Sequence, residues 1–442
     1  MSGGRAPVVR RARALSGEFA PPGDKSITHR AVLFGMLAEG ETRITGPNAG
    51  EDCRGSLAAS ALMGARTTRD DGEWRVFGCG GGGLREPASE IDCGNSGTTI
   101  RLLAGIAAGQ AFASRLTGDA SLRRRPMARI LEPLRRMGAT ITAAEGDRPP
   151  LAVSGGALRA IEYDVPVASA QVATCLLLAG LHASGRTTVR LPGPARDHTE
   201  RMLPAFGASL EVGALPAGGR SVSLTGGVNL RACDVSVPGD FSSAAFLLAA
   251  AAAEPGAEVT VRGVSLNPTR TGLLDVLAAM GAEPSITRVR DAAGEPVGDV
   301  TVRGPESLDA FDVPPEWVPR LVDEVPAWVV LASAARGVSR VTGAAELRVK
   351  ESDRIVALAR NLAACGVEAR ELPDGLEVRG GPVCGARVEA HMDHRIVMAF
   401  ASLGARSSTP MSFDDVSSVE TSFPGFFATL AALGAGVEEG GA

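Results

Sequence analysis

Apolar, small-residue-rich stretches alternate along this chain with strand-like stretches of β-branched residues, and the alternation repeats. A helix-closing glycine followed by an apolar strand start occurs at Met63-Gly64-Ala65, Met137-Gly138-Ala139, Phe206-Gly207-Ala208, Met280-Gly281-Ala282, Cys365-Gly366-Val367 and Leu433-Gly434-Ala435. The intervals between these glycines are 74, 69, 74, 85 and 68 residues. A second landmark keeps step with the first. Strands end in glycine at Gly46, Gly118, Gly193, Gly263 and Gly343, and the sixth such strand, Met411–Phe413, ends before Asp414, at intervals of 72, 75, 70, 80 and 71. Two landmarks with one period indicate internal repeats.

Each repeat reads in the same order. An apolar helix comes first (Ala31–Ala38, Ile100–Ala108, Val172–His182, Ala244–Ala253, Ala327–Ala335, Ile396–Leu403). A strand follows, then an amphipathic helix closed by its glycine, then a strand pair. Helices apolar on all sides belong in a core, and their Ala and Gly content allows close approach. The expected fold class is therefore α/β: six βαβαββ repeats with buried helices, in two domains of three. The crossings are expected near Phe19–Gly23 and Pro238-Gly239, giving one domain over residues 22–238 and a second from residues 1–21 plus 239–442. The run Gly78–Gly83 reads as a flexible loop.

Composition narrows the function. The chain has 442 residues, 45% of them apolar, and a net charge of −5. No basic excess supports nucleic-acid binding. The longest apolar runs, Ala244–Ala253 and Val325–Ala335, fall short of the roughly 18–20 residues of a membrane span. Arg5, Arg10, Arg11 and Arg13 are not followed by an apolar segment, so no secretory signal is expected. Seven scattered cysteines without a CxxC pair suit thiols in a reducing cytoplasm. HExxH, GxSxG and zinc-type spacings are absent. Gly23-Asp24-Lys25-Ser26 resembles the end of a P-loop, but Asp24 separates glycine from lysine.

Of 45 Lys and Arg residues only Lys25 and Lys350 are lysine. Both lie in unusual segments. Just before the six apolar helices stand Asp24–Arg30, Gly94–Thr99, Ala168–Gln171, Gly239–Ser243, Val322–Glu324 and Met392–Arg395. Helix capping explains their Ser, Thr, Asp and Asn. It does not explain Lys25, Arg30 or Arg395, because cations oppose the positive end of a helix dipole unless an anion lies between. Further cations stand at Arg125, at Arg196 in Arg196-Asp197-His198-Thr199-Glu200, and in Arg348-Val349-Lys350-Glu351-Ser352-Asp353-Arg354. Such clusters suit a ligand carrying phosphate and carboxylate groups. Six helices in two triads would aim their starts at one place if the domains face each other.

These segments, with Leu116-Thr117-Gly118-Asp119, Asn267-Pro268-Thr269-Arg270-Thr271-Gly272, Asp393-His394-Arg395 and Thr421-Ser422-Phe423-Pro424, resemble the 5-enolpyruvylshikimate 3-phosphate synthase family over nearly the whole chain. The resemblance implies a two-domain inside-out α/β barrel and transfer of the carboxyvinyl group of phosphoenolpyruvate to the 5-hydroxyl of shikimate 3-phosphate. It implies no metal or other cofactor, small-molecule partners only, no nucleic acid or membrane, a monomer and a cytoplasmic location. By resemblance, Lys25, Ser26, Arg30, Ser169, Gln171, Arg196, Asp323 and Lys350 hold shikimate 3-phosphate. Lys25, Gly97, Arg125, Gln171, Arg354 and Arg395 hold phosphoenolpyruvate, and domain closure completes the cation cage. Lys25, Asp323, Lys350 and Glu351 are the implied catalytic set, with Asp323 and Lys350 at the 5-hydroxyl and Glu351 at the C3 proton.

The chain departs from many relatives at Thr421, where they carry Lys, at Glu346, where some carry Asn, and at Arg196, where others carry Ser. These features resemble the class II subgroup, whose members tend to tolerate the inhibitor glyphosate. That tolerance is often associated with Ala at the position of Gly97, and Gly leaves room for the inhibitor. The alternative is a paralogous transferase with another phosphorylated or sugar acceptor. The relative using UDP-N-acetylglucosamine places Asn after the N-terminal lysine and uses a loop cysteine. Here Ser26 follows Lys25, and Leu116–Arg125 holds no cysteine.

Overall fold

The computed structural model describes residues 6–12, 14–292 and 294–438. Arg5 and Arg13 lie outside them. The chain forms two compact units, each with its own apolar core. The first comprises Gly23–Val237 together with Asp291–Glu295. The second comprises the described residues up to Pro22, Pro238–Arg290 and those from Pro296 on.

In the first unit the helices are α1 (Lys25–Leu37), α2 (Glu51–Leu62), α3 (Gly97–Ala108), α4 (Ala128–Met137), α5 (Ala170–His182) and α6 (His198–Met202). Helices α1, α3 and α5 are buried almost throughout, and α3 packs on both α1 and α5. Outer helix α4 is amphipathic: Ile130, Leu131, Leu134 and Met137 face inward, while its arginines stay out. It ends on Gly138 in the left-handed conformation, with φ of 106°. The other five closing glycines, Gly64, Gly207, Gly281, Gly366 and Gly434, also have positive φ. The recurring glycine is therefore a backbone requirement of each helix end.

The sheets repeat as well. Ile91–Asp92 runs parallel to Ala113–Thr117, which pairs antiparallel with Arg148–Ser154, and that strand with Thr140–Ala144. The same order recurs through Glu162–Asp164, Arg186–Leu191, Arg220–Thr225 and Glu211–Ala214. In the remaining sheet, Leu230–Arg231 and Val235–Ser236 run parallel to Ala38–Thr45, ahead of Glu73–Cys79 and Arg66–Asp70. The last strands of this unit thus complete its first sheet.

The second unit carries α7 (Phe241–Ala252), α8 (Gly272–Ala279), α9 (Val325–Ala334), α10 (Arg354–Ala364), α11 (His394–Gly404) and α12 (Phe426–Ala432). Helices α7, α9 and α11 pack on one another. Every residue of α7 is buried, which its alanines permit by letting neighbouring backbones come close. Here the N-terminal segment closes the cycle. Ser16–Phe19 runs parallel to Glu258–Ser265 as the opening strand of one sheet. Val8–Arg10 pairs with Gly436–Glu438 and, through Val9, with Met411 beside Ser412–Phe413. Val8–Arg10 thus stands between the strand region Met411–Phe413 and Gly436–Glu438, both far along the sequence.

The buried helices begin earlier than their apolar runs suggest. Helix α1 starts at Lys25, α3 at Gly97, α5 at Ala170 and α11 at His394. Lys25, Ser26, Arg30 and Arg395 thus ride on the opening turns of helices and not in the loops before them. The caps lie one residue ahead: Asp24 Oδ1 accepts from Ile27 N at 2.9 Å, Ser96 Oγ from Thr99 N at 3.1 Å and Ser169 Oγ from Val172 N at 3.4 Å. Among the described residues, no helix is long and apolar enough to cross a membrane.

Candidate active site

In the first unit, α1 places Lys25, Ser26 and Arg30 on its first two turns. Lys25 Nζ pairs with Asp52 Oδ2 at 2.9 Å, the carboxylate coming from the first turn of α2. Arg30 is buried and bonded on three nitrogens: Nε donates to Thr199 Oγ1 at 2.8 Å, Nη1 to the Ser26 carbonyl at 3.0 Å and Nη2 to Thr174 Oγ1 at 2.8 Å. Burial pushes its pKa down to about 10, against the pull of Glu200 and Asp24 and with help from Arg196. Arg196 Nη1 lies 3.5 Å from Ser26 Oγ. Its backbone is braced by Arg220, which donates to the carbonyls of Ala195 and Arg196 at 2.8 Å each.

A second group forms around α3 and α5. Gln171 Oε1 accepts from Arg101 Nη1 at 3.0 Å, and its Nε2 donates to Thr98 Oγ1 at 2.9 Å. Arg125 Nη2 donates to Asn95 Oδ1 at 2.5 Å. A Cβ on Gly97 would stand 2.6 Å from Arg101 Nη1 and 3.1 Å from Arg125 Nη1. The bare backbone at Gly97 therefore lets both guanidinium groups close over the start of α3. Helix α5 joins the two groups, with Gln171 facing one and Thr174 the other.

His29 lies between Lys25 and Arg30 in the sequence and is fully buried. Its Nδ1 is 2.8 Å from Ser56 Oγ, and its Nε2 has no hydrogen-bond partner. Burial, then the charges of Lys25 and Arg30, hold its pKa well below 6.5. The folded state thus keeps His29 neutral where the unfolded chain begins to protonate it. Stability from this residue is complete above pH 6.5 and is lost as pH falls from there toward the lowered folded value. Urea unfolding between pH 7.5 and 5 should lose up to about 1.4 kcal/mol per pH unit from this group. His29→Asn should flatten that slope, and an unchanged slope would assign the acid sensitivity elsewhere.

In the second unit the cluster is tighter. Asp323 sits in a short 3-10 turn, Val322–Glu324, that leads into α9. Its Oδ1 lies 3.6 Å from both Lys350 Nζ and Arg354 Nη1. Arg354, the first residue of α10, also pairs through Nη2 with Glu351 Oε2 at 2.6 Å and through Nε with Asp393 Oδ2 at 2.8 Å. Burial alone would lower the Arg354 pKa, but Asp393, Glu351 and Asp323 together raise it above the ordinary value. Burial likewise works to raise Asp393, and Arg354 nevertheless holds it below the ordinary carboxylate value. Arg395, on the first turn of α11, donates from Nη1 to the Asp323 carbonyl at 2.6 Å. Thr421 Oγ1 lies 3.4 Å from His394 Nδ1.

Asp323, Lys350, Glu351, Arg354 and Arg395 are thus gathered in the second unit. Lys25, Ser26, Arg30, Gly97, Arg125, Ser169, Gln171 and Arg196 lie in the first. Sequence reasoning missed Asp52, Arg101, Thr174 and Arg220. Arg101 carried a signal, being the one charge on an otherwise apolar helix; the others had none. Among the described residues, no group of three or more His, Cys, Asp or Glu side chains could hold a metal ion.

Comparison with known proteins places these residues in a family. Residues 9–430 match the family model for EPSP synthase (3-phosphoshikimate 1-carboxyvinyltransferase). A 3-phosphoshikimate 1-carboxyvinyltransferase of Xanthomonas euvesicatoria is 49% identical, over 98% of each chain. One from Gluconobacter oxydans is 48% identical over 96% of this chain and 97% of its own. The solved EPSP synthase of Acinetobacter baumannii superposes with a TM-score of 0.86 at 42% identity, covering 99% of this chain and all of that one. The chain belongs to the EPSP synthase family.

Proposed function

We propose that this protein transfers the 1-carboxyvinyl group of phosphoenolpyruvate to the 5-hydroxyl of shikimate 3-phosphate, releasing phosphate, on the route to chorismate and the aromatic amino acids. The observation that carries the chemistry is Asp323 held between two cations, Lys350 and Arg354, with Glu351 on the same Arg354. A carboxylate flanked by a titratable amine is an acid–base pair. In the proposed addition, the 5-hydroxyl oxygen bonds to C2 of phosphoenolpyruvate. Its proton goes to Asp323 or Lys350, while C3 gains a proton from Glu351, which enters this step as the neutral acid and regains its proton in the elimination. In the elimination, C3 returns a proton to Glu351, the C2–O bond to phosphate breaks, and the proton taken from the hydroxyl leaves with phosphate. Atoms and electrons balance with these side chains alone.

Both substrates are anionic, so their phosphates and carboxylates need cations to offset mutual repulsion. We assign shikimate 3-phosphate to Lys25, Ser26, Arg30, Ser169, Gln171, Arg196, Asp323 and Lys350. Phosphoenolpyruvate falls to Lys25, Gly97, Arg125, Gln171, Arg354 and Arg395. The internal bonds of Arg30 make its contribution that of a fixed charge behind Ser26. A monomer in the cytoplasm fits this reading, and none of the seven cysteines is in a disulfide.

A coupled phosphate-release assay tests the proposal. Phosphate should appear from phosphoenolpyruvate only when shikimate 3-phosphate is present. Equal release with UDP-N-acetylglucosamine as acceptor would reassign the enzyme to the sugar-nucleotide reaction.

A further inference from the structure

One motif, Asn267–Gly272, has no part in the chemistry above, yet its arginine is buried beside it. Arg270 is 2% exposed. Its Nη2 lies 3.1 Å from Asp240 Oδ1 and donates to Ser242 Oγ at 2.7 Å. Ser242, on the first turn of α7, donates in turn to Glu324 Oε1. Glu324 is the residue after Asp323 and shares its 3-10 turn. Its Oε1 stands 3.9 Å from Arg395 Nη1, the same nitrogen that donates to the Asp323 carbonyl.

The donor directions run one way, from guanidinium to hydroxyl to carboxylate, and each link polarises the next. Resting on the enolpyruvyl-transfer reading, we propose that Arg270, Ser242 and Glu324 are positioning residues that aim the Asp323 carboxylate at the 5-hydroxyl. Buried ion networks are weak stabilisers, and apolar replacements of equal volume often serve a fold as well. A network of charge next to Asp323 is better accounted for by what it orients. Both cations facing Asp323 Oδ1 stand at 3.6 Å from it. The turn beneath it is what Ser242 and Arg395 fasten.

The test compares full-length variants in steady-state assays against both substrates. Ser242→Ala deletes one hydroxyl and leaves the packing of α7. It should lower kcat about tenfold, with both KM values within about twofold of wild type, as expected for a misaimed reacting group. Glu324→Gln still accepts the Ser242 hydroxyl and should retain more of kcat than Glu324→Ala. Full kcat in Ser242→Ala would overturn the relay. So would losses that merely track the unfolded fraction seen in thermal melts. A wild-type enzyme that releases no phosphate with shikimate 3-phosphate would overturn the underlying reading, and the relay with it. An active wild type beside an unaffected Ser242→Ala would overturn the relay alone.

Discussion

Lys350→Ala is expected to lower kcat by about 10²–10⁴-fold, the usual range for loss of a positioned proton-transfer group, with little change in melting temperature. The side chain is 25% exposed, and its removal leaves Asp323 Oδ1 still facing Arg354 Nη1 at 3.6 Å. No buried charge is orphaned, so the fold should tolerate the change. Lys350→Arg should not restore turnover. Guanidinium keeps its proton at any working pH, whereas an ammonium can give one up. Steady-state and single-turnover rates for the two variants provide the check. A near-normal rate in Lys350→Arg would reduce the role of this residue to charge alone. That the chain keeps lysine here, while 43 other basic positions are arginine, agrees with a need for a titratable amine.

Arg354→Ala should be the opposite kind of variant, losing stability as well as activity. Arg354 is 1% exposed, and its partner Asp393 is fully buried. The arginine also answers Glu351 and Asp323. Removing it leaves a buried carboxylate without its main counter-charge, a change of about 3–5 kcal/mol in comparable cases. Urea unfolding at pH 7 should show a loss of that order. Arg354→Lys should recover only part of it, because one ammonium cannot meet carboxylates on Nε, Nη1 and Nη2 together. A loss below about 1 kcal/mol would place this cluster among solvated surface pairs.

The repeats were legible because a helix end that needs a left-handed residue selects glycine wherever it recurs. Gly64, Gly138, Gly207, Gly281, Gly366 and Gly434 all adopt that conformation. The starts of the buried helices were less legible. Lys25, Ser26 and Arg30 look like loop residues in a hydropathy pattern, yet they form the opening turns of α1. Among the chemical groups, Lys25 and Lys350 stood out as the two lysines among 45 basic residues, and Lys25, Arg30 and Arg395 because cations at helix starts conflict with the dipole. Asp52, Thr174, Ser242 and Glu324 did not, since they are ordinary residues made special by partners far along the chain. Glu324 looked like one of two acids at a helix start; only the packing of α7 against its turn brings Ser242 and Arg270 to it. The pairing of Val8–Arg10 with Gly436–Glu438 was equally hidden, because three-residue strands carry no local mark of a distant mate.

That pairing bears on how the protein is made. The three sheets described for the first unit draw every strand from residues 38–236, so those sheets can form while the ribosome is still translating. The other unit has to wait. At roughly 5–20 residues per second, Val9 and its mate Val437 emerge roughly 20–90 s apart. Until then Val8–Arg10 lacks one of the two strands it lies between. The half of the molecule that carries Asp323 and Lys350 is thus sealed by a stretch made long before the strand it joins.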